Sequence, residues 1–131
     1  MKMKTVDIGR FGEQQAARFL KRKRLKLIAR NLHVSHNEID IIAKDIKNRT
    51  IIFVEVKSRS VDEELYSNYG TPASAVTKAK QKRTIEAARG YISESKNLLD
   101  YSVRFDVVEV YINKNNFEII KINHIENAFC V

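Results

Sequence analysis

The sequence contains little cysteine and proline and no tryptophan. Its single cysteine, Cys130, excludes an internal disulfide and a zinc site built from several thiolates. The three histidines, His33, His36 and His124, lack the spacing typical of metal ligands. One proline and four glycines in 131 residues predict few long loops. Because there is no signal-peptide pattern and no apolar run that could span a bilayer, we expect a cytoplasmic protein that does not contact membranes.

Positive charge is abundant and clustered. The chain has 24 lysines and arginines against 16 acidic residues, which gives a net charge of +8. Residues 18–30 include seven basic side chains and no acidic one, and residues 78–89 include five basic side chains and one acidic one. Such clusters are typical of proteins that bind nucleic acid, although a solvated helix end rich in lysine is the simpler alternative.

The hydrophobic pattern predicts two helices and five strands. Asp7 is a candidate N-cap for the first helix, and Pro72 suits the first turn of the second helix, after a loop that starts at Arg59. The tail over residues 124–131 has no clear pattern. In chain order, we expect a helix over 8–24, strands over 25–34, 38–44 and 50–58, a helix over 74–95, and strands over 103–112 and 117–122. This order predicts a single α/β domain over residues 1–131, with a mixed sheet flanked by two long helices.

Two charges interrupt the most apolar strand. In Ile51-Ile52-Phe53-Val54-Glu55-Val56-Lys57, Glu55 and Lys57 point to the same face of the strand. Asp40 lies among isoleucines on the preceding strand of the predicted hairpin. A turn centred on residues 47–48 places Asp40 opposite Glu55, and a turn centred on 48–49 places it opposite Lys57. Either register brings the three side chains to one face, whereas a half-step register would turn Asp40 away.

Two further acids are candidates for the same site. Glu13 borders the apolar face of the first helix, and Glu38 is two residues before Asp40. Glu13 could instead pair with Arg10 or Lys57, and Glu38 could be a solvated acid at the start of the strand. A glutamate and a lysine two residues apart also occur as an ordinary cross-strand ion pair, so only the combination is informative.

This combination suits the hydrolysis of a phosphodiester. Magnesium or manganese prefers oxygen ligands, which Asp40, Glu55 and the backbone carbonyl of Val56 could supply, with Glu13 and Glu38 as additional candidates. Lys57 could orient the attacking water or stabilise charge that develops on the phosphate. Basic residues of the second helix would then hold the nucleic-acid backbone without reading its sequence, and the candidates are Lys78, Lys80, Lys82 and Arg83.

Short motifs along most of the chain carry a resemblance to known proteins. They are Gly12-Glu13 with Ala16-Ala17, Arg30-Asn31, Glu38-Ile39-Asp40, the stretch from Phe53 to Lys57 with Arg59, Lys80, the stretch from Arg104 to Val108, and Ala128-Phe129. The chain is similar to the YraN-like family of small bacterial proteins, within the PD-(D/E)xK superfamily of restriction-endonuclease-like folds. That superfamily has an αβββαβ core, so the fifth strand would be a C-terminal addition.

The resemblance also implies roles for individual residues. Asp40 and Glu55 would be metal ligands, Lys57 the catalytic lysine, and Glu13 the extra acid that archaeal Holliday-junction resolvases carry in their first helix. Arg59, Lys80 and Arg104 would be phosphate contacts. Arg104 could equally form a structural ion pair with Asp106.

The function that these features favour is a magnesium-dependent endonuclease acting on DNA. Branched DNA and repair intermediates are expected substrates on the resemblance to resolvases alone. One alternative is a nucleic-acid-binding accessory protein that keeps the fold and does not cut, and another is a nuclease that processes RNA. Resolvases often work as dimers, so a homodimer is left open, although the sequence indicates no dimer face.

Overall fold

The computed structural model describes residues 5–62 and 76–130, and its elements follow the predicted order. A 3-10 turn over Lys96–Leu98 follows the second helix. No helix in these ranges is long and apolar enough to cross a membrane. The helices are α1 (Thr5–Arg22) and α2 (Lys78–Ser93), and the strands are β1 (Lys26–Val34), β2 (Asn37–Asp45), β3 (Thr50–Val61), β4 (Ser102–Asn113) and β5 (Ile119–Phe129).

The five strands form one mixed sheet in the order β1-β2-β3-β4-β5. Only β3 and β4 are parallel, because α2 crosses over between them, and the other neighbours are antiparallel. Alternate side chains of the central strands point to opposite faces, which gives two cores. The core under α1 contains Ala16, Leu20, Ile52 and Val54, and the core under α2 contains Phe53, Ala87, Ala88 and others. The predicted α/β fold is therefore confirmed.

Several element boundaries differ from the prediction. The second helix begins at Lys78 rather than at residue 74, because the Thr77 side chain caps it by accepting a hydrogen bond from the Lys80 amide at 3.1 Å. The prediction that Pro72 opens this helix falls outside the described residues. Strand β3 continues to Val61, past the predicted start of the loop, because β4 stays paired alongside it. Asp7 lies within the first turn of α1 rather than at its cap.

The tail that had no clear pattern belongs to β5, which continues to Phe129. Its register against β4 shifts between the pairs Phe105–Phe129 and Val107–Ile125, and Asn127 adopts a φ of 53° within the irregular segment. Asparagine tolerates this left-handed conformation better than most residues. The bulge interrupts the period-two pattern, so this half of the strand was not recognised in the sequence.

Helix α1 crosses β3 at very short range, and Gly12 makes this possible. A Cβ atom at Gly12 would lie 2.7 Å from Ser58 Cβ and would overlap its Oγ, whereas a Cβ at Gly9 would meet nothing within 4 Å. We expect Gly12→Ala to lower the free energy of unfolding by roughly 1–3 kcal/mol, because the added methyl group forces the helix away from the sheet. Urea denaturation measures this change.

The matched control for that substitution is Gly9→Ala in the same helix. Alanine favours the helix over glycine by about 1 kcal/mol, and Gly9 has open space around it, so this variant should be slightly more stable than the wild type. Equal effects of the two substitutions would contradict the close approach of α1 to Ser58.

Candidate carboxylate site

The hairpin of β2 and β3 has the first of the two predicted registers, with pairs from Asp45–Thr50 to Ile41–Val54. The ladder ends there, one pair short of Asp40 and Glu55. Instead of facing Glu55 as a cross-strand partner, Asp40 accepts a hydrogen bond at its Oδ2 from the Val56 amide, at 2.8 Å. The carboxylate of Asp40 therefore occupies the place where the two strands separate.

A change of face in β2 explains this position. Ile41 packs in the core under α1, but Ile39 packs in the core under α2. In a regular strand, residues two apart point to the same face. The strand therefore turns at Asp40, whose side chain points toward the backbone of β3 and not squarely to either face.

Asp40 opens onto a cleft of about 290 Å³ on the α1 side of the sheet. Glu13 also lies in this cleft, is 9% exposed, and forms an ion pair from its Oε1 to Arg30 Nη2 at 3.4 Å. Helix α1 thus brings Glu13 next to the carboxylate of Asp40 on β2, as the sequence predicted. The lining residues are Ile8, Gly9, Glu13, Asp40, Val56 and Ser58.

Glu55 and Lys57 lie on the other side of β3. Val56 packs toward α1, so the residues on either side of it point toward α2. Glu55 Oε2 lies 3.7 Å from Lys80 Nζ of α2, and in the described residues the Lys57 ammonium has no ion pair. The expectation that Asp40 shares one face with Glu55 and Lys57 is therefore wrong as stated, because Asp40 lies at the boundary between the two faces.

The three carboxylates are nevertheless coupled electrostatically at Asp40. Burial raises the pKa of Asp40 from 3.8 to about 7, against the hydrogen bond from Val56, which lowers it. The negative charges of Glu55 and Glu13 raise this pKa further, while Lys80 lowers it. The pKa of Asp40 is thus raised by the negative charge of one glutamate on each side of the sheet, Glu13 and Glu55.

The donor chemistry at Asp40 fits a divalent metal ion. Carboxylate oxygens are the ligands that magnesium and manganese prefer, and a cation would relieve the repulsion that raises the pKa of Asp40. Within residues 5–62 and 76–130, no three acidic, histidine or cysteine side chains are grouped closely enough to hold an ion as they stand. Glu13 and Glu55 point instead toward Arg30 and Lys80, so metal binding would require these two glutamates to exchange a basic partner for the ion.

The other candidate residues differ in how near they lie to Asp40. Glu38 is exposed, pairs with His33 in the ladder, and is absent from the cleft. Arg59 follows Lys57 on β3 and is half-buried. Exposed basic residues of α2 lie on its first two turns, near Lys80, and these are Lys78, Lys82 and Arg83.

Arg104 is not brought to the carboxylates. Its guanidinium binds Asp106 through two hydrogen bonds, of 2.9 Å from Nε and 3.0 Å from Nη2, so the structural ion pair that the sequence left open is present.

Two residues of the site, Arg30 and Ser58, are not predicted from the sequence. Arg30 belongs to a basic cluster and to one motif of the resemblance, neither of which gives it a role at the site, and only the contact of Ser58 with Gly12 reveals Ser58.

Comparison with known proteins gives one consistent result. The profile described as uncharacterised protein family UPF0102 matches residues 12–110. The chain is 43% identical to a UPF0102 protein of Clostridium beijerinckii over 98% of both chains, and 41% identical to one of Clostridium perfringens over the whole of both. It is 38% identical to a UPF0102 protein of Caldanaerobacter subterraneus, again over 98% of both chains. These names give no activity or substrate.

Proposed function

This chain belongs to the uncharacterised protein family UPF0102, and we propose that it is a cytoplasmic, metal-dependent endonuclease that hydrolyses phosphodiester bonds in DNA. The observation that carries the proposal is the cleft in which the carboxyl groups of Asp40 and Glu13 lie together, with the charge of Glu55 also acting on Asp40 and raising its pKa. Strongly perturbed carboxyl groups in a cleft are typical of catalytic sites. The ammonium of Lys57 forms no ion pair with the residues that the structure describes and lies on the same strand as Glu55, so it adds the cation that phosphate chemistry needs.

Each residue has a distinct task in this proposal. Asp40, Glu55 and the Val56 carbonyl, with Glu13, would hold magnesium or manganese, which when bound activates water and neutralises phosphate charge. Lys57 would contact the scissile phosphate and stabilise the charge that builds on its oxygens. Arg59 and the basic residues at the start of α2 would hold the backbone on either side, without contributing sequence specificity.

The resemblance to resolvases extends this proposal in two ways: the substrate would be branched DNA or a repair intermediate, and a homodimer would cut two strands.

A specific observation favours a second candidate function, a nucleic-acid-binding protein that does not cut. Glu13 and Glu55 already have basic partners in Arg30 and Lys80, so much of the acidic charge is neutralised without a metal ion. The same fold would then use its basic surface alone.

Cleavage assays with two site variants test the proposal. We expect the wild type to nick DNA in the presence of magnesium or manganese and not in the presence of a chelator. Asp40→Asn and Lys57→Ala should each lower the rate by about 100-fold or more, because the first removes a proposed metal ligand and the second removes the cation that stabilises the reacting phosphate. Linear, nicked, flap and four-way-junction DNA, with structured RNA beside them, show the substrate preference.

Each control variant removes one acidic or one basic side chain, as the site variants do, but at the other end of the same hairpin. Asp45→Asn and Lys47→Ala lie at the turn, outside the carboxylate cleft, and should cut like the wild type. Salt-sensitive binding without cleavage, retained in both site variants, would favour the binding protein over the nuclease. Cleavage of RNA alone would favour the RNA-processing alternative.

A further inference from the structure

A cleft with a volume of about 750 Å³ lies at the opposite end of α2 from Lys80. It is formed by the end of α2, the 3-10 turn and the beginning of β1 with the end of β2. Three lysines line it, Lys26, Lys44 and Lys96, and we name it the lysine cleft after them. We propose that the lysine cleft binds the phosphate backbone of nucleic acid, as a contact separate from the carboxylate site.

The three lysines have no acidic partner in the described residues. Basic residues beside the carboxylates are neutralised, as in the pairs Arg30–Glu13 and Lys80–Glu55, but Lys26, Lys44 and Lys96 form no ion pair. Lys44 Nζ lies instead 4.8 Å from the centre of the Tyr101 ring. Like charges gathered around one concave surface repel each other and attract anions, so an anionic ligand would stabilise this arrangement.

The Tyr101 ring contacts a second cation at this end of the molecule, Arg49, which also lies 3.9 Å from the exposed Asp100. Arg49 Cζ lies 4.7 Å from the same ring centre, so two cations share one aromatic side chain near the cleft. Among the described residues that line the cleft, Glu94 is acidic and three are lysines, so the lining carries a net positive charge. The recessed shape suits a nucleic-acid strand, whose phosphates can enter a groove, better than the flat surface of a bilayer.

The spacing along α2 allows one nucleic acid to reach both sites. Helix α2 rises about 1.5 Å per residue, so Glu94 on the rim of the cleft lies roughly 20 Å along the axis from Lys80. This distance corresponds to about six base pairs of duplex DNA at 3.4 Å each. The inference shares the nucleic-acid partner of the proposed function but does not depend on catalysis.

Binding of a 24-base-pair duplex, measured without divalent metal over a range of salt concentrations, tests the inference. The variant K26Q/K96Q removes two exposed lysines of the cleft, and K114Q/K121Q removes two exposed lysines near the other edge of the sheet. We expect K26Q/K96Q to lower the slope of log K against log salt by about 1.8, because each lost phosphate contact contributes about 0.9. Its affinity near 0.1 M salt should fall roughly 10- to 50-fold.

The two double variants have the same net charge, so a general charge effect would change them equally. Equal slopes and affinities for the two variants would overturn the inference. Vesicles with 30% anionic lipid form a second arm, and loss of vesicle binding by K26Q/K96Q with unchanged DNA affinity would also overturn it. If the wild type binds DNA through the cleft but never cuts it, the lysine-cleft proposal is supported while the nuclease proposal fails.

Discussion

Asp40→Asn is expected to raise the free energy of unfolding of the metal-free protein by roughly 2–4 kcal/mol at pH 8. The reason is that the pKa of Asp40 rises from 3.8 to about 7 on folding, mainly through burial, so its charged form opposes folding. Asparagine carries no charge, and its side-chain oxygen can still accept the hydrogen bond from the Val56 amide. The variant thus keeps the contact and loses the repulsion from Glu13 and Glu55.

The effect should depend on pH in a defined window. Because folding raises the pKa of Asp40, the folded protein holds this proton more tightly than the unfolded chain. The favourable contribution of the protonated group is complete below about pH 4, decreases as the pH rises toward 7, and is lost above that. Urea denaturation of wild type and variant at pH 4.5, 6 and 8 should therefore show a difference that grows with pH.

Two controls keep this prediction falsifiable. Asp45 is an acid of the same hairpin whose pKa is lowered by hydrogen bonds from Asn48, so Asp45→Asn should not stabilise the protein. Addition of magnesium at pH 8 should stabilise the wild type but not Asp40→Asn, since a ligand that binds only the folded state shifts the equilibrium toward it. If Asp40→Asn is less stable than the wild type at pH 8, the negative charge of Asp40 does not oppose folding and the prediction is wrong.

Asp106→Ala is expected to lower the free energy of unfolding by roughly 3–5 kcal/mol. Asp106 is completely buried and accepts hydrogen bonds from Arg104, from the Asn127 amide at 2.9 Å and from His124 Nε2 at 2.7 Å. Burial opposes its ionisation, but these bonds outweigh burial and lower the pKa of Asp106. Its removal leaves the partly buried guanidinium of Arg104 with only a 4.0 Å contact to Glu126 among the described residues, and the loss of a buried charge partner is among the most costly single changes.

The histidine in this cluster has a defined proton arrangement. Lys23 Nζ lies 2.9 Å from His124 Nδ1, and an ammonium can only donate, so Nδ1 accepts and the ring proton is on Nε2, directed at Asp106.

The matched control for Asp106→Ala is Asp100→Ala, because Asp100 is 88% exposed and has one long contact of 3.9 Å to Arg49. Thermal unfolding should hardly change in the control, and a similarly small change in Asp106→Ala would refute the role of this cluster.

The sequence predicted those parts of the fold that depend on local pattern. The sequence left two registers open for the β2–β3 hairpin, and the structure has the one with its turn at residues 47–48. The start of α2 was placed four residues too early, because apolar pattern does not show which residue caps a helix. The second half of β5 was missed because its bulge is stabilised by Asp106, which is remote in the sequence.

For the candidate site, the sequence identified the acids but not their directions. Glu13 next to Asp40 followed from helical spacing, and the structure places both in one cleft. The turn of β2 at Asp40 could not be predicted, because an ideal strand has a period of two and this strand departs from it at that residue. The partners of Glu13 and Glu55, Arg30 and Lys80, come from other elements and depend on tertiary packing.

The parallel pair at the centre of the sheet has a consequence for biosynthesis. Thr50 is aligned with Ser102, so these neighbours are separated by on the order of fifty residues in the chain. Until the ribosome has released β4, one edge of β3 is unpaired and Phe53 lacks its stacking contact with Phe105. The nascent polypeptide should therefore resist proteolysis only after nearly all of it has emerged, and it would be a client for chaperones that shield exposed strand edges.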